Sequence, residues 1–484
     1  MKLTLKLMIT VTAFLVGCEQ HQSVQLTIDE EIQRAADEHQ LTGDPSTNRD
    51  IPSIYDPKAQ LGMQLFYSKA LGGDLDSACV TCHHPLLGGG DNLSLPVGAG
   101  ALEVDMLGAG RTHSPLSSDY DGYAPVRRNA PTTFNIALWD SALFWDGRVE
   151  SLFPVPGFNG AIGGISTPDS GTGLADMDAG MNLVAAQARF PLTSEEEMQG
   201  FVFEARQSNA IVRAHLVLRL SDTLSSDYIA NTWGSAFQSV YGDATVDMEK
   251  ITDAIAAYER SQLFIESPWK VYLEGNLTAI TDSAKRGALL FFNTYEEGGF
   301  DCAACHSGDF FTDEDFYVMA MPQVGRGKYN GDTADDDYGR SKVTGHNRYA
   351  FRTPTLLNVE VTGPWGHCGS YTTLEGVVRH MADPEKAARA YDAGQLRSDV
   401  KTLNTYQNTE NALQQLKLDR LAELTPHQSK DITEEEVDDI VSFLKTLTDP
   451  CVKSRACLTP WIPDNTTGRD GLQLNGVSLD GDLF

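Results

Sequence analysis

Two short strings hold the residues best suited to chemistry: Cys79, Cys82 and His83 in "ACVTCHH", and Cys302, Cys305 and His306 in "DCAACHS". Cysteines about one helical turn apart can form two thioether bonds to the vinyl groups of a haem, and the histidine that follows is placed to ligate its iron. A zinc ribbon would pair CxxC with CxxC and require no histidine after each. The strings therefore point to two covalently bound haem c groups. Haem is attached in this way outside the cytoplasm.

The elements that must hold these strings repeat along the chain. "AQLGMQLFYSKALGGDLDSACVTC" from Ala59 and "AKRGALLFFNTYEEGGFDCAAC" from Ala284 each place a helix with Gly, Leu and Phe before the attachment site, as Gly62, Leu65 and Phe66 and then Gly287, Leu290 and Phe291. Ile251, Ile255 and Tyr258 keep a helical apolar period, and Ser267-Pro268 marks a boundary. A capping box at Thr433 and Glu436 opens a helix with Val437, Ile440, Val441 and Leu444 on one face. Strand signal is weak, so the fold class expected is mainly α, with two cytochrome c-like haem domains and long loops. The expected organisation is a signal over 1–18, a polar tether over 19–52, an N-terminal haem domain over 53–266, a C-terminal haem domain over 267–450 and a tail over 451–484.

Composition sets the outer limits. The chain has 484 residues, 41% hydrophobic and 21% charged, which suits two or three cored domains. Lys+Arg 37 against Asp+Glu 67 gives a net charge of -30, which repels nucleic acid and anionic membrane and suits a basic redox partner. Lys2 and Lys6, the apolar run Leu7 to Leu15 and the close on Gly17-Cys18 resemble a bacterial lipoprotein signal. Export to the periplasm with a lipid anchor at Cys18 follows from that reading; a plain secretory signal is the alternative. Cys451 and Cys457 are expected to form a disulfide in such a compartment, and Cys368 has no evident partner.

The order CxxCH, "RNAPTTFN" (128–135), "FWDGR" (144–148), a second CxxCH, "FRTPTLLNVEVTGPWGH" (351–367) and "TLEGVVRHM" (373–381) resembles the bacterial dihaem cytochrome c peroxidase family over about residues 55–450. The resemblance implies reduction of hydrogen peroxide to water with electrons from a small periplasmic donor, a cytochrome c or a cupredoxin. It implies a peroxide-reactive N-terminal haem and a high-potential C-terminal relay, and it is compatible with a homodimer.

By the same resemblance, Met381 is the second axial ligand opposite His306. A Met on an apolar helical stripe is otherwise ordinary core; a thioether ligand favours Fe(II) and raises the potential, as a relay needs. His380 is the rival ligand, and His367 belongs near this haem without ligating it. Cys368 stands where the family's "HDG" has Asp. Thr372 and Glu375 read as a capping box for the helix that carries Met381. Trp145 matches the family's aromatic between the haems. Asn129, with the backbone carbonyls of Thr362 and Pro364, matches the positions that hold a calcium ion at the domain junction.

Where many members place a distal histidine, sixteen residues after the proximal one, this chain has Ala99, which cannot ligate iron. His84 cannot reach the opposite face. His113, Tyr120 and Tyr123 in the 101–124 insertion are alternatives, and an open site is the favoured reading. "QARFPLTSEEEM" resembles the stretch with the catalytic glutamate and aligns on Glu197, while Glu195 and Glu196 fit a solvated helix start. The 153–180 stretch reads as an inserted loop that shapes the entrance. Two other functions fit the same strings: a dihaem electron-transfer or redox-sensing protein without turnover, and a dihaem oxidase of an organic or protein substrate. The relative that matures methylamine dehydrogenase has a Tyr axial ligand at the relay haem, against which Met381 weighs.

Overall fold

The computed structural model describes residues 26–221, 229–464 and 467–484. The expected signal and Cys18 lie outside them. The chain is mainly α, and its strands are two or three residues long.

Two helix pairs form its frame. Helix Pro57–Phe66 packs along Met248–Arg260, and helix Asp282–Phe292 packs along Glu434–Lys445. The repeated glycine is the crossing point in both. A Cβ on Gly62 would lie 1.8 Å from the Ala254 carbonyl oxygen, and one on Gly287 would lie 1.9 Å from that of Asp439. Only a residue without a side chain lets these backbones approach so closely.

Each pair anchors its own core. Leu61, Leu65, Phe66, Ile251, Ile255 and Tyr258 fill the first; Phe291, Phe311, Val437, Ile440 and Phe443 fill the second. The capping box at Thr433 and Glu436 is present. Helix Leu374–Ala382 is capped by Thr373, whose hydroxyl accepts from the Gly376 N–H, so the expected box at Thr372 and Glu375 does not form.

The segment expected to be a polar tether is folded over its described part. Ile28–Glu38 is a helix whose capping box joins Thr27 and Glu30, and Ile32 is fully buried in the second core. Ile32, Ala35 and Ala36 make an apolar stripe narrow enough to be hidden among the surrounding charges. Asp29 fixes the helix through Lys285, 2.7 Å away, and the Tyr272 hydroxyl, at 2.7 Å.

The tail wraps the N-terminal half. The Cys451–Cys457 disulfide closes its start, Leu474 is fully buried in the first core, and Asp470 accepts from Ser68 and from the Trp233 indole.

Candidate functional site

Each CxxCH string opens on a short 3-10 turn, Cys79–Thr81 and Cys302–Ala304. The two histidines are held alike. His83 Nδ1 lies 3.1 Å from the Gly89 carbonyl oxygen, and His306 Nδ1 lies 3.1 Å from that of Phe311. A carbonyl only accepts, so each Nδ1 carries the proton and each Nε2 keeps its lone pair. Burial holds both imidazoles below the usual histidine range and therefore neutral. That is the state in which a ring nitrogen ligates a metal.

The first string borders a cavity lined among others by Phe66, Trp145, Arg148, Glu197 and Ile255. The second borders a larger one, lined among others by Trp145, Phe291, His367, Met381 and Leu444. Both walls contain buried polar groups without protein partners: one oxygen of Glu259 in the first, both ring nitrogens of His367 in the second. Chambers with aromatic and aliphatic walls, a cysteine pair, a neutral imidazole and, in the first, several cations fit a large, mostly apolar group that carries carboxylates. The residues present fit haem c at both strings.

Met381 and His380 are adjacent and differently placed. Met381 lines the second cavity, and its carbonyl accepts from His427 Nε2 at 2.6 Å. His380 is fully buried away from that wall: Nε2 lies 2.8 Å from the Met319 carbonyl oxygen, and Nδ1 lies 2.9 Å from the Tyr371 hydroxyl. No lone pair is left for a metal. His367 stacks flat on Phe351, with centroids 3.7 Å apart. Cys368 is wholly buried and points its thiol at the Pro322 carbonyl, and burial pushes its pKa up to about 12. It behaves as a small apolar side chain.

Trp145 lines both cavities. The turn from Phe144 to Gly147 that presents it needs glycine at its end, where a Cβ would lie 2.4 Å from the Phe316 ring. The indole N–H donates to the Asn129 carbonyl at 2.9 Å, and the Trp145 carbonyl accepts from the Arg352 N–H at 3.0 Å. Arg128 locks this junction, with bonds to Asp337 of 2.7 and 2.8 Å and one to Asp146 of 2.6 Å. The guanidinium holds both carboxyls well below the usual range, Asp337 at about 2. Asn129, Thr362 and Pro364 all line the second cavity.

Glu195–Gln199 is a π-helical turn, not the start of an ordinary helix. Two glycines let backbone close on it: a Cβ on Gly98 would lie 2.4 Å from the Glu197 carbonyl oxygen, and one on Gly73 would lie 1.9 Å from that of Gln199. Ala99 is fully buried, and its N–H donates to the Glu196 carbonyl. The turn sends neighbouring carboxylates to different fates. Glu195 is exposed, as expected. Glu196 is not the solvated charge its sequence suggests: it takes a 2.8 Å bond from Arg127, which stacks on Tyr329. Glu197 lines the first cavity with no hydrogen-bond or ion-pair partner among the described residues, and burial raises its pKa against the pull of Arg148 and Lys328.

The alternatives to an open site do not reach it. His113 is buried, with Nδ1 on the Tyr123 carbonyl and Nε2 on Asp119, both at 3.1 Å. His84 accepts from the Leu86 N–H. Neither residue lines the first cavity, nor do Tyr120 and Tyr123. The 153–180 stretch, expected to shape an entrance, contributes no lining residue to either cavity; its Ile165–Ser166 strand pairs with Val149–Ser151, on the side away from Ala142–Leu143. Sequence reasoning missed Arg127, Arg148, Glu259, Lys328 and His427. Lys328 sits in "GRGKYNGD", a loop without periodicity, and nothing local ties it to a site whose attachment string lies some 250 residues earlier.

The chain is similar to known proteins in sequence and in fold. Residues 56–278 match the family model described as di-haem cytochrome c peroxidase. The chain is 28% identical over 328 residues to the methylamine utilization protein MauG of Methylorubrum extorquens, covering 67% of this chain and 68% of that one. It is 25% identical over 332 residues to the cytochrome c551 peroxidase of Nitrosomonas europaea, covering 67% and 72%. In fold it is similar to a crystallised variant of the diheme peroxidase BthA from Burkholderia thailandensis, with a TM-score of 0.51 at 21% identity over 88% of this chain and 92% of that one. Over residues 56–278 the chain is similar to the di-haem cytochrome c peroxidase family, and relatives at 25–28% identity carry the likeness across two thirds of its length.

Proposed function

We propose that this protein reduces hydrogen peroxide to water in its N-terminal cavity, with electrons that a small periplasmic donor delivers through the C-terminal one. One observation carries the reading: Glu197 brings an unpaired carboxyl to the wall that also holds Cys79, Cys82 and His83. Haem c on each CxxCH string would supply the iron that binds peroxide and the centre that relays electrons.

The chain's own residues do the rest. His83 offers Nε2 as a ligand, fixed by the Gly89 carbonyl. Ala99 has no atom that can ligate, so peroxide needs no protein group displaced and reacts with the fully oxidised protein. Glu197 takes the proton from the nearer peroxide oxygen and returns it to the farther one, which leaves as water when the O–O bond breaks; two electrons from the donor and two protons from solvent convert the nearer oxygen to the second water. Its raised proton affinity suits both transfers. Trp145, common to both walls, is the side chain through which electrons pass between the cavities. Met381 and His306 would hold the relay haem, and a thioether ligand would keep its potential high.

The N-terminal and C-terminal halves would each be a cytochrome c-like unit, with the helix pairs as their frames. Calcium at the junction would use Asn129 Oδ1, left free because Nδ2 donates to the Leu93 and Ser94 carbonyls, with the carbonyls of Thr362 and Pro364. Periplasmic location and a lipid anchor at Cys18 complete it.

Stopped-flow mixing of the oxidised protein with peroxide, followed at the Soret band, tests the central claim. Wild type should react, and Glu197→Gln should slow the reaction by about 10²–10⁴-fold. Equal rates would overturn it. The likeness to MauG favours a second reading, oxidation of another molecule by the same N-terminal site. An E197Q-sensitive reaction that consumes peroxide yet cannot turn over with any small electron donor would favour that one.

A further inference from the structure

The N-terminal cavity is completed from the other half of the chain. The loop from Gly325 to Asp337 crosses to it: the Gly327 carbonyl accepts from Arg127, Tyr329 lies under the same guanidinium, and Lys328, between them, lines the cavity. Every other cation of that wall is already engaged. Arg127 is bonded to Glu196, Arg128 to Asp146 and Asp337, and Arg148 to Asp146. Lys328 has no hydrogen-bond or ion-pair partner among the described residues, and its backbone is pinned where its N–H donates to the Asp336 carbonyl at 2.9 Å. A half-buried ammonium left unneutralised by protein is costly unless the site uses its charge.

We propose that Lys328 makes the N-terminal cavity a binding site for small monovalent anions able to ligate iron, the hydroperoxide anion among them. The inference rests on the peroxidase reading and deepens it. A base such as Glu197 works only when ionised, and an ionised carboxylate repels an anionic ligand in the same chamber. Lys328 offsets that repulsion without a bond that would tie up the carboxylate. Desolvation lowers the amine's pKa to about 8, which leaves it mostly protonated at neutral pH.

Azide and imidazole titrations of the oxidised dihaem protein at pH 7, read at the Soret band without turnover, test this. Lys328→Met should weaken azide by about tenfold or more, Lys328→Arg should restore most of the affinity, and imidazole binding should change in neither. Unchanged azide affinity in Lys328→Met would overturn the proposal, and is the result expected if a haem carboxylate holds the amine. Equal loss for azide and imidazole would also overturn it, as collapse of the wall. If wild type binds neither ligand, this proposal and the open-site reading fall together. If Lys328→Met selectively loses azide while Glu197→Gln keeps the full peroxide rate, only the catalytic reading falls.

Discussion

Glu196 and Glu197 are chemically identical neighbours that the fold separates by purpose. A π-helical turn widens the backbone, so that one carboxyl meets Arg127 while the other enters the cavity with no ion-pair partner among the described residues. Met381 and His380 make a second such pair, and both ring nitrogens of His380 are spent on Met319 and Tyr371. Replacing Met381 with His should lower the reduction potential of the C-terminal haem, since imidazole does not favour Fe(II) as a thioether does. A redox titration that finds the potential unchanged would remove Met381 from the ligand set. In each pair the residue type was visible in the sequence. Which neighbour faces the cavity was not, because that depends on backbone path and on partners far along the chain.

At the scale of elements, the repeated glycine is the most demanding requirement. The repeat of Gly62 and Gly287 was legible in the sequence, and the structure gives its cause in two helix crossings with no room for a methyl group. Gly62→Ala should destabilise the protein by about 1–3 kcal/mol through overpacking against Ala254, measurable by denaturant unfolding. A neutral result would mean that the crossing is looser than its 1.8 Å overlap implies. The N-terminal helix shows the opposite relation. Its charged surface read as a tether, yet Ile32 is enough to dock Ile28–Glu38 on the second core, because a narrow stripe can be fully buried when Lys285 and Tyr272 engage Asp29 at its rim.

Across the whole molecule, the junction between the cavities depends on one buried guanidinium shared by two carboxylates. Asp337 and Asp146 have pKa values below the unfolded carboxylate value, so they stabilise the fold above about pH 4, and that contribution is lost as pH falls toward 2. Melting temperature should therefore drop steeply over that interval. Asp337→Asn should cost about 3–5 kcal/mol at neutral pH and flatten the acid limb. An unchanged limb would assign acid sensitivity to other groups. Lys328 belongs to this scale too, since a loop of one half supplies the other half's cavity with a cation that has no ion-pair partner among the described residues.

The sequence alone determined the two attachment strings, the helical class, the repeated helix before each string and the absence of a ligating residue at Ala99, because each follows from residue types at fixed local spacing. Tertiary structure decided which carboxylate enters the first cavity, that His113 and His380 have no nitrogen free for a metal, that Trp145 borders both chambers and that Lys328 reaches across to one of them. These depend on contacts between segments up to some 200 residues apart, where burial and hydrogen-bond saturation, not spacing, set what a side chain can do.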